Sequence, residues 1–242
     1  MNLIIDVGNT RVKAAVFERH TLVYFYAFNK SRIISEVKKI IKNYKITSGI
    51  MSSVGFSRSK KIEKLQELID FTVVSSKIEP PFKNLYATPN TLGVDRIALV
   101  FGAVLKFPKQ NVLIIDAGTC ITFDFINKNA EYLGGAISPG VEMRYKSLHA
   151  FTSKLPLLEI NKPNYFIGNS TNESINSGIV NGVIQEIEGF IMLYKKEYSN
   201  LTVVLTGGHT NFLAKQLKSS IFANQNFLLE GLNEILIFNK NK

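Results

Sequence analysis

The apolar run Leu3-Ile4-Ile5-Asp6-Val7-Gly8-Asn9-Thr10 recurs later in the chain as Leu113-Ile114-Ile115-Asp116-Ala117-Gly118-Thr119. Each copy reads as a short strand that ends in Asp-x-Gly, followed by small hydroxyl or amide residues. A strand ending in a carboxylate and a glycine turn brings backbone N–H groups and a metal-binding oxygen up to an anion such as a phosphate. Its occurrence twice predicts two related half-domains facing one cleft.

The chain has 242 residues, 45% of them hydrophobic, which supplies core for two domains of roughly 100–150 residues each. The position of the second copy sets the expected boundaries at 1–110 and 111–242. No apolar run approaches the roughly 18–20 residues that span a bilayer, and the N-terminus enters a strand without a basic leader. A cytoplasmic protein is expected. Cys120 is the single cysteine, so neither a disulfide framework nor a cysteine-rich metal site forms within one chain, and Cys120 reads as a small buried hydrophobe. His20, His149 and His209 show no ligand spacing; His209, after Thr206-Gly207-Gly208, is the best placed for chemistry. The net charge of +10 allows nucleic acid as a partner, but the lysines are scattered along amphipathic stretches such as Val37–Lys42 and Lys60–Leu65, as on a solvated helix face. No nucleic-acid-binding signature accompanies them. A basic surface also suits anionic small molecules.

The pattern predicts a meander of strands through Phe28, a helix capped by Ser31 and running to Tyr44, a strand at Ser48–Val54, a helix from Ser59 to Ile69 and a strand at Phe71–Val74. A helix is expected from Asp95 to Leu105. The second half repeats the order: strands at Val112–Asp116, Thr122–Ile126 and around Tyr132, helices over Gly140–His149 and Thr171–Tyr198, then a strand at Leu201–Leu205 with a helix after it. A short closing segment is read near Leu228-Leu229, and strands around Glu230-Gly231-Leu232.

Several constellations could carry chemistry. In Asp6-Val7-Gly8-Asn9-Thr10-Arg11-Val12-Lys13, Gly8 permits a tight turn, Asn9 and Thr10 offer donors, Asp6 can hold a divalent cation and Lys13 adds positive charge. An ordinary hairpin explains the stretch taken alone. Asp116, Gly118 and Thr119 repeat the carboxylate and hydroxyl at a second strand-to-turn junction. No Walker P-loop is present, so a nucleotide site here is of another kind. In Leu92-Gly93-Val94-Asp95-Arg96, the Asp could take or orient a substrate proton and the Arg could bind an anion; a first-turn Asp with a surface Arg is the plain alternative. Gly134-Gly135-Ala136-Ile137-Ser138-Pro139-Gly140 reads as a loop that permits close backbone approach before a helix.

In this order, Asp-x-Gly-Asn-Thr-x-x-Lys, Gly-x-Asp-Arg, Asp-x-Gly-Thr and Gly-Gly-x-Ile-x-Pro-Gly resemble the motifs of the type III pantothenate kinases, members of the acetate kinase, sugar kinase, Hsp70 and actin superfamily. The resemblance runs from Asp6 to at least Gly178. It implies an α/β chain of duplicated ribonuclease H-like, actin-like half-domains, with mixed sheets flanked by helices and a cleft between them. It also implies transfer of the γ-phosphoryl group of ATP to the primary hydroxyl of pantothenate, the first step toward coenzyme A.

Carried over motif by motif, the resemblance makes Asp95 the proton acceptor, with Tyr86, Gly93, Val94, Asp95, Arg96 and Thr171 lining the pantothenate site. Asp6, Val7, Gly8, Asn9, Thr10, Arg11, Val12, Lys13 and Thr119 would hold ATP, with magnesium near Asp6, and Asp116 would bind a monovalent cation, potassium or ammonium. Tyr86 and Thr171 rest on looser local patterns. Family members are homodimers with sites at the subunit interface, so a homodimer is expected. Two other readings use the same fold: a non-catalytic transcription accessory factor, compatible with the charge, and a kinase with a different acceptor. The Asp95-Arg96 pair beside two Asp-x-Gly loops favours catalysis over a scaffold.

Overall fold

The computed structural model describes residues 1–8, 10–53, 60–74 and 79–240, with the backbone alone at 60 and 61. Asn9, Val54 and Ser59, named above, lie outside the described residues. Along the chain run β1 (Asn2–Val7), β2 (Val12–Glu18), β3 (Thr21–Phe28), α1 (Ile33–Asn43), β4 (Ser48–Ser53), α2 (Lys60–Gln66), β5 (Phe71–Val73), β6 (Lys83–Asn84) and α3 (Val94–Lys106). Then follow β7 (Asn111–Ala117), β8 (Cys120–Ile126), β9 (Glu131–Pro139), α4 (Val141–Ala150), α5 (Thr171–Glu197), β10 (Leu201–Thr206), α6 (Thr210–Ala214), β11 (Phe222–Ala223) and α7 (Phe227–Lys240).

The chain divides into two compact units. One comprises Met1–Pro108, Ala130–Tyr132 and Asn226–Lys242; the other comprises Lys109–Asn129 and Leu133–Gln225. The last helix, α7, belongs to the first unit.

In the first unit the strand order is β3-β2-β1-β4-β5, with β1 antiparallel to β2 and parallel to β4. Alternation along β1 sends Leu3, Ile5 and Val7 to one face, where they pack with Val37 and Ile40 of α1 and Leu65 of α2. Asn2, Ile4 and Asp6 point to the other face, and Asn2 Nδ2 donates to Asn233 Oδ1 of α7 at 2.9 Å. That face is covered by α7, which contacts β1, β4 and α3. The α3–α7 pair meets at Gly102 and Gly231, where a Cβ on Gly231 would stand 2.1 Å from the Ala98 carbonyl oxygen.

The second unit repeats the order as β9-β8-β7-β10-β11, with β7 antiparallel to β8 and parallel to β10. Leu113, Ile115 and Ala117 of β7 pack with Val141 and Tyr145 of α4 and with Ile179, Val183 and Ile187 of α5. Each such buried aliphatic side chain stabilises the fold by roughly 1.5–3 kcal/mol. The fold is thus the expected α/β duplication of mixed sheets flanked by helices.

Some local expectations differ from the structure. Ser31 lies inside a 3-10 turn, Lys30–Arg32, and α1 begins at Ile33 without a side-chain cap. The stretch from Gly134 to Pro139 is part of strand β9 rather than a loop, because Gly135 lets β9 press against the Phe123 carbonyl of β8. The closing region near Leu228-Leu229 and Glu230-Gly231-Leu232 is neither a short segment nor strands but the helix α7, whose Leu228, Leu229, Leu232, Ile235 and Leu236 are buried at helical spacing. Cys120 is partly exposed, a free thiol at the start of β8.

Candidate active site

In the first unit, β1 and β2 close the Asp6–Lys13 stretch as a hairpin in which Asp6 pairs with Lys13 and Val7 with Val12. Gly8 N–H donates to the Arg11 carbonyl at 3.1 Å, so the turn folds back over its own end. Thr10 and Arg11 are exposed, Val7 and Val12 are buried, and Asn9 is outside the described residues. Asp6 is 8% exposed, and Ser52 of β4, its register partner on the other side, donates Oγ–H to Asp6 Oδ1 at 2.8 Å. Burial pushes the Asp6 carboxyl above the usual carboxylate range, against the opposing pull of the Ser52 hydrogen bond and the Lys13 charge. The Asp95 carboxylate adds to that rise.

Asp95 owes its position to the start of α3. Gly93 is the N-cap residue, Val94 opens the helix, and Asp95 Oδ1 accepts the Arg96 N–H at 2.9 Å. A Cβ on Gly93 would stand 2.3 Å from Asp95 Oδ1, so the carboxylate folds back over Gly93 and would have to move aside for any side chain there. Arg96 is buried, with its guanidinium carbon 5.5 Å from the centre of the Tyr86 ring. Tyr86 in turn stacks on the fully buried Tyr132 at 6.1 Å between ring centres. Tyr132 is held by the pairing of β6 with the first residues of β9. This Arg96–Tyr86–Tyr132 column was not legible beforehand, because Tyr132 reads as an ordinary strand residue and nothing local ties it to Tyr86.

In the second unit, Asp116 sits on the face of β7 opposite the core made by Leu113, Ile115 and Ala117. Its register partners are Thr122 on β8 and Thr206 on β10, so all three side chains share one face. The Oγ1 atoms of Thr122 and Thr206 are shielded from solvent and have no hydrogen-bond partner among the described residues. Gly207, at φ +97, packs so that a Cβ would meet Asp116 Oδ1 at 2.4 Å. Gly140 donates its N–H to the Thr119 carbonyl at 3.1 Å and leaves no room for a Cβ there. The Gly118-Thr119 turn is thereby clamped, with the Thr119 side chain exposed.

Thr171 is the exposed first residue of α5, after Ser170, whose Oγ accepts the Glu173 N–H at 3.3 Å. His209 caps α6 and ties it to the Asp116 turn through a backbone N–H to the Ala117 carbonyl at 3.0 Å; its Nε2 lies 3.8 Å from Glu142. Among the described residues no group of three or more His, Cys, Asp or Glu is placed to hold a metal ion. A divalent cation in such a site must draw most of its ligands from phosphate and water.

Residues 2–192 match the family profile described as type III pantothenate kinase. A type III pantothenate kinase of Flavobacterium johnsoniae is 48% identical over 97% of this chain and 96% of its own length. One from Christiangramia forsetii is 49% identical over 99% of both chains. Among solved structures, a Campylobacter jejuni chain described as belonging to the Baf transcriptional-activator family aligns with a TM-score of 0.67 at 20% identity, over 99% of this chain and 100% of that one. The activator of 2-hydroxyisocaproyl-CoA dehydratase from Clostridium difficile, with bound ADPNP, aligns with a TM-score of 0.56 at 12% identity, covering 99% of this chain and 94% of that one. Those distant structures share the fold alone.

Proposed function

Because the chain belongs to the type III pantothenate kinase family, and as such uses ATP to phosphorylate pantothenate in coenzyme A biosynthesis, we propose that Asp95 is the residue that receives the acceptor hydroxyl. The observation that carries this is that Asp95, on the first turn of α3, belongs to the same compact unit as Asp6 at the foot of the hairpin, and its charge acts on the Asp6 carboxyl. Acceptor and phosphate-binding groups then meet in one unit.

The primary hydroxyl of pantothenate donates to the Asp95 carboxylate, which takes its proton as the oxygen attacks the γ-phosphorus. The bond from that phosphorus to the β,γ-bridging oxygen breaks, and ADP leaves with the electron pair. Phosphoryl transfer proceeds mainly by positioning and charge stabilisation, so orienting the hydroxyl is as much the task of Asp95 as accepting the proton. Arg96, stacked over Tyr86, supplies a fixed positive charge for the pantothenate carboxylate, while Gly93 and Val94 complete that wall. Thr171 is assigned to the same substrate from the start of α5.

Backbone and side-chain groups from Val7 through Lys13, with Thr119, are assigned to ATP. The residues fit both implied metals. Asp6 is a buried carboxylate pushed toward neutrality by desolvation, and magnesium held there with the phosphates would supply the positive charge that favours its ionised form. Asp116 stands among oxygens, with two buried hydroxyls lacking partners among the described residues, a donor set that fits potassium or ammonium and would offset phosphate charge. Phe151, Tyr165, Phe166 and Ile167 are 70–87% exposed on the segment leading to Thr171, which supports a homodimer through this surface. No helix among the described residues is long and apolar enough to cross a membrane, and the reaction is assigned to the cytoplasm.

The purified chain with magnesium, potassium, ATP and pantothenate is expected to form 4'-phosphopantothenate, read by mass spectrometry. Absence of product under those conditions contradicts the reading. The second reading, a transcription accessory factor, gains support only if the protein retains ATP binding without any such product.

A further inference from the structure

The sheet of the first unit ends at β3, whose outer edge has no paired strand among the described residues. Such an edge is ordinarily kept short, or blocked by a charge, a proline or a bulge, so that it does not recruit another chain. β3 lacks these blocks along most of its length. Thr21–Phe28 spans eight residues without a charge, a glycine or a proline. Its one irregularity lies at the start, opposite Val16 and Phe17, and Tyr24 to Phe28 pair in regular register with Val16 to Val12. Val23, Phe25 and Tyr26 are 36–42% exposed, although β-branched and aromatic side chains of this kind suit a half-buried sheet surface. The charge lies beside this edge and not on it. From Arg19 to Lys45, seven lysines and arginines stand against a single carboxylate, Glu36, which already bridges Arg32 and Lys39. Tyr44, between Lys42 and Lys45, lies 5.2 Å from Tyr24 between ring centres, which sets the C-terminal end of α1 beside β3. Glu18 stands at the strand's other end, opposite Thr21.

We propose that β3 is a docking edge for an extended acidic segment of another protein, which adds to the sheet as an outer strand. Main-chain hydrogen bonds along the edge supply affinity, and alternate side chains of the incoming strand pack beside Phe25 on one face and Tyr26 on the other. The lysines at the end of α1 draw in the segment's carboxylates and speed its encounter. A second copy of this chain is a poorer occupant. Antiparallel pairing of β3 with itself has a two-fold axis normal to the sheet, which brings both copies' basic α1 helices to the same side of the joined sheet, like charge against like. A nucleic acid strand is poorer too, because Tyr24 is packed on Tyr44 and Tyr26 on Phe28, and stacking of bases needs open ring faces.

The test uses the full chain with fluorescein-labelled synthetic peptides, read by fluorescence anisotropy and by hydrogen exchange of the protein's amides. The acidic probe is a run of alternating valine and threonine flanked at both ends by glutamates. Its controls carry lysine flanks, or the same glutamate flanks with every core amide N-methylated. The acidic probe is expected to bind, to slow exchange across Thr21–Phe28, and to release as salt is raised. The two controls are expected to bind at least about tenfold more weakly. Phe25→Asp, and Lys42→Glu combined with Lys45→Glu, are expected to weaken the acidic probe by a similar factor while phosphopantothenate formation is unchanged. The peptide controls on the parent chain decide the outcome whether or not a variant folds. An acidic probe that does not bind, that binds no better than either control, or that protects amides elsewhere overturns the proposal. So does a folded Phe25→Asp protein that binds the probe as the parent does. Tighter protection of the same strand by a labelled oligothymidylate identifies a nucleic acid edge instead, and protection that grows with protein concentration alone identifies a second copy; either result overturns the acidic segment.

Discussion

Asp6, Asp95 and Asp116 carry the same functional group into three different environments. Asp6 is buried beside Ser52 and Lys13, Asp95 rides on the first turn of a helix, and Asp116 lies between two threonines. The raised pKa of Asp6 has a sign that can be checked. The folded protein holds that proton more tightly than the unfolded chain, whose value is close to 3.8. Stability from this group therefore increases as pH falls through the folded pKa toward the unfolded one, and levels off below it. Asp6→Asn is expected to remove this component, so that in the nucleotide-free protein the variant's melting temperature falls relative to the parent's as pH is lowered toward 3.8, while binding of ATP with magnesium weakens. An unchanged pH slope in the variant would show that burial does not perturb Asp6 as described. The three aspartates themselves were legible in the sequence because their motifs are contiguous. The Arg96–Tyr86–Tyr132 column was not, since it depends on β6 pairing with β9, a contact between segments with no shared pattern.

Most elements followed from periodicity, and two of the misreadings, in β9 and α7, share a physical origin in glycine. Gly231 looks like a helix breaker in isolation, yet it sits inside α7 because α3 approaches so closely that no Cβ fits against Ala98. Gly135 likewise looks like loop material but serves β9, where the strand lies against β8. In both cases tertiary contact overrides local propensity. Gly231→Ala is accordingly expected to destabilise the protein by roughly 1–3 kcal/mol, by forcing α7 away from α3. Helix propensity alone would predict the opposite sign, a gain of about 1 kcal/mol, so a denaturant titration separates the two accounts. The same helix covers the face of β1 that carries Asp6, so loosened packing should also weaken nucleotide binding.

The whole molecule is a duplication whose halves have diverged around the same aspartate. Strand order and the position of the Asp-x-Gly turn are retained in both sheets, and the side chains flanking each aspartate have changed. The surface has diverged as well, with the segment before α5 leaving Phe166 at 80% and Ile167 at 70% exposed. Replacing both by Asp is expected to convert a dimer to a monomer in sedimentation analysis, with loss of activity if Thr171 acts across the subunit boundary. A parent protein that sediments as a monomer at micromolar concentration would contradict the dimer. The measurement that bears most directly on the account as a whole is the steady-state rate of phosphopantothenate formation by Asp95→Asn beside the parent chain. The account predicts that kcat falls by about 10²–10⁴-fold with ATP binding retained; equal kcat in the two proteins would contradict it.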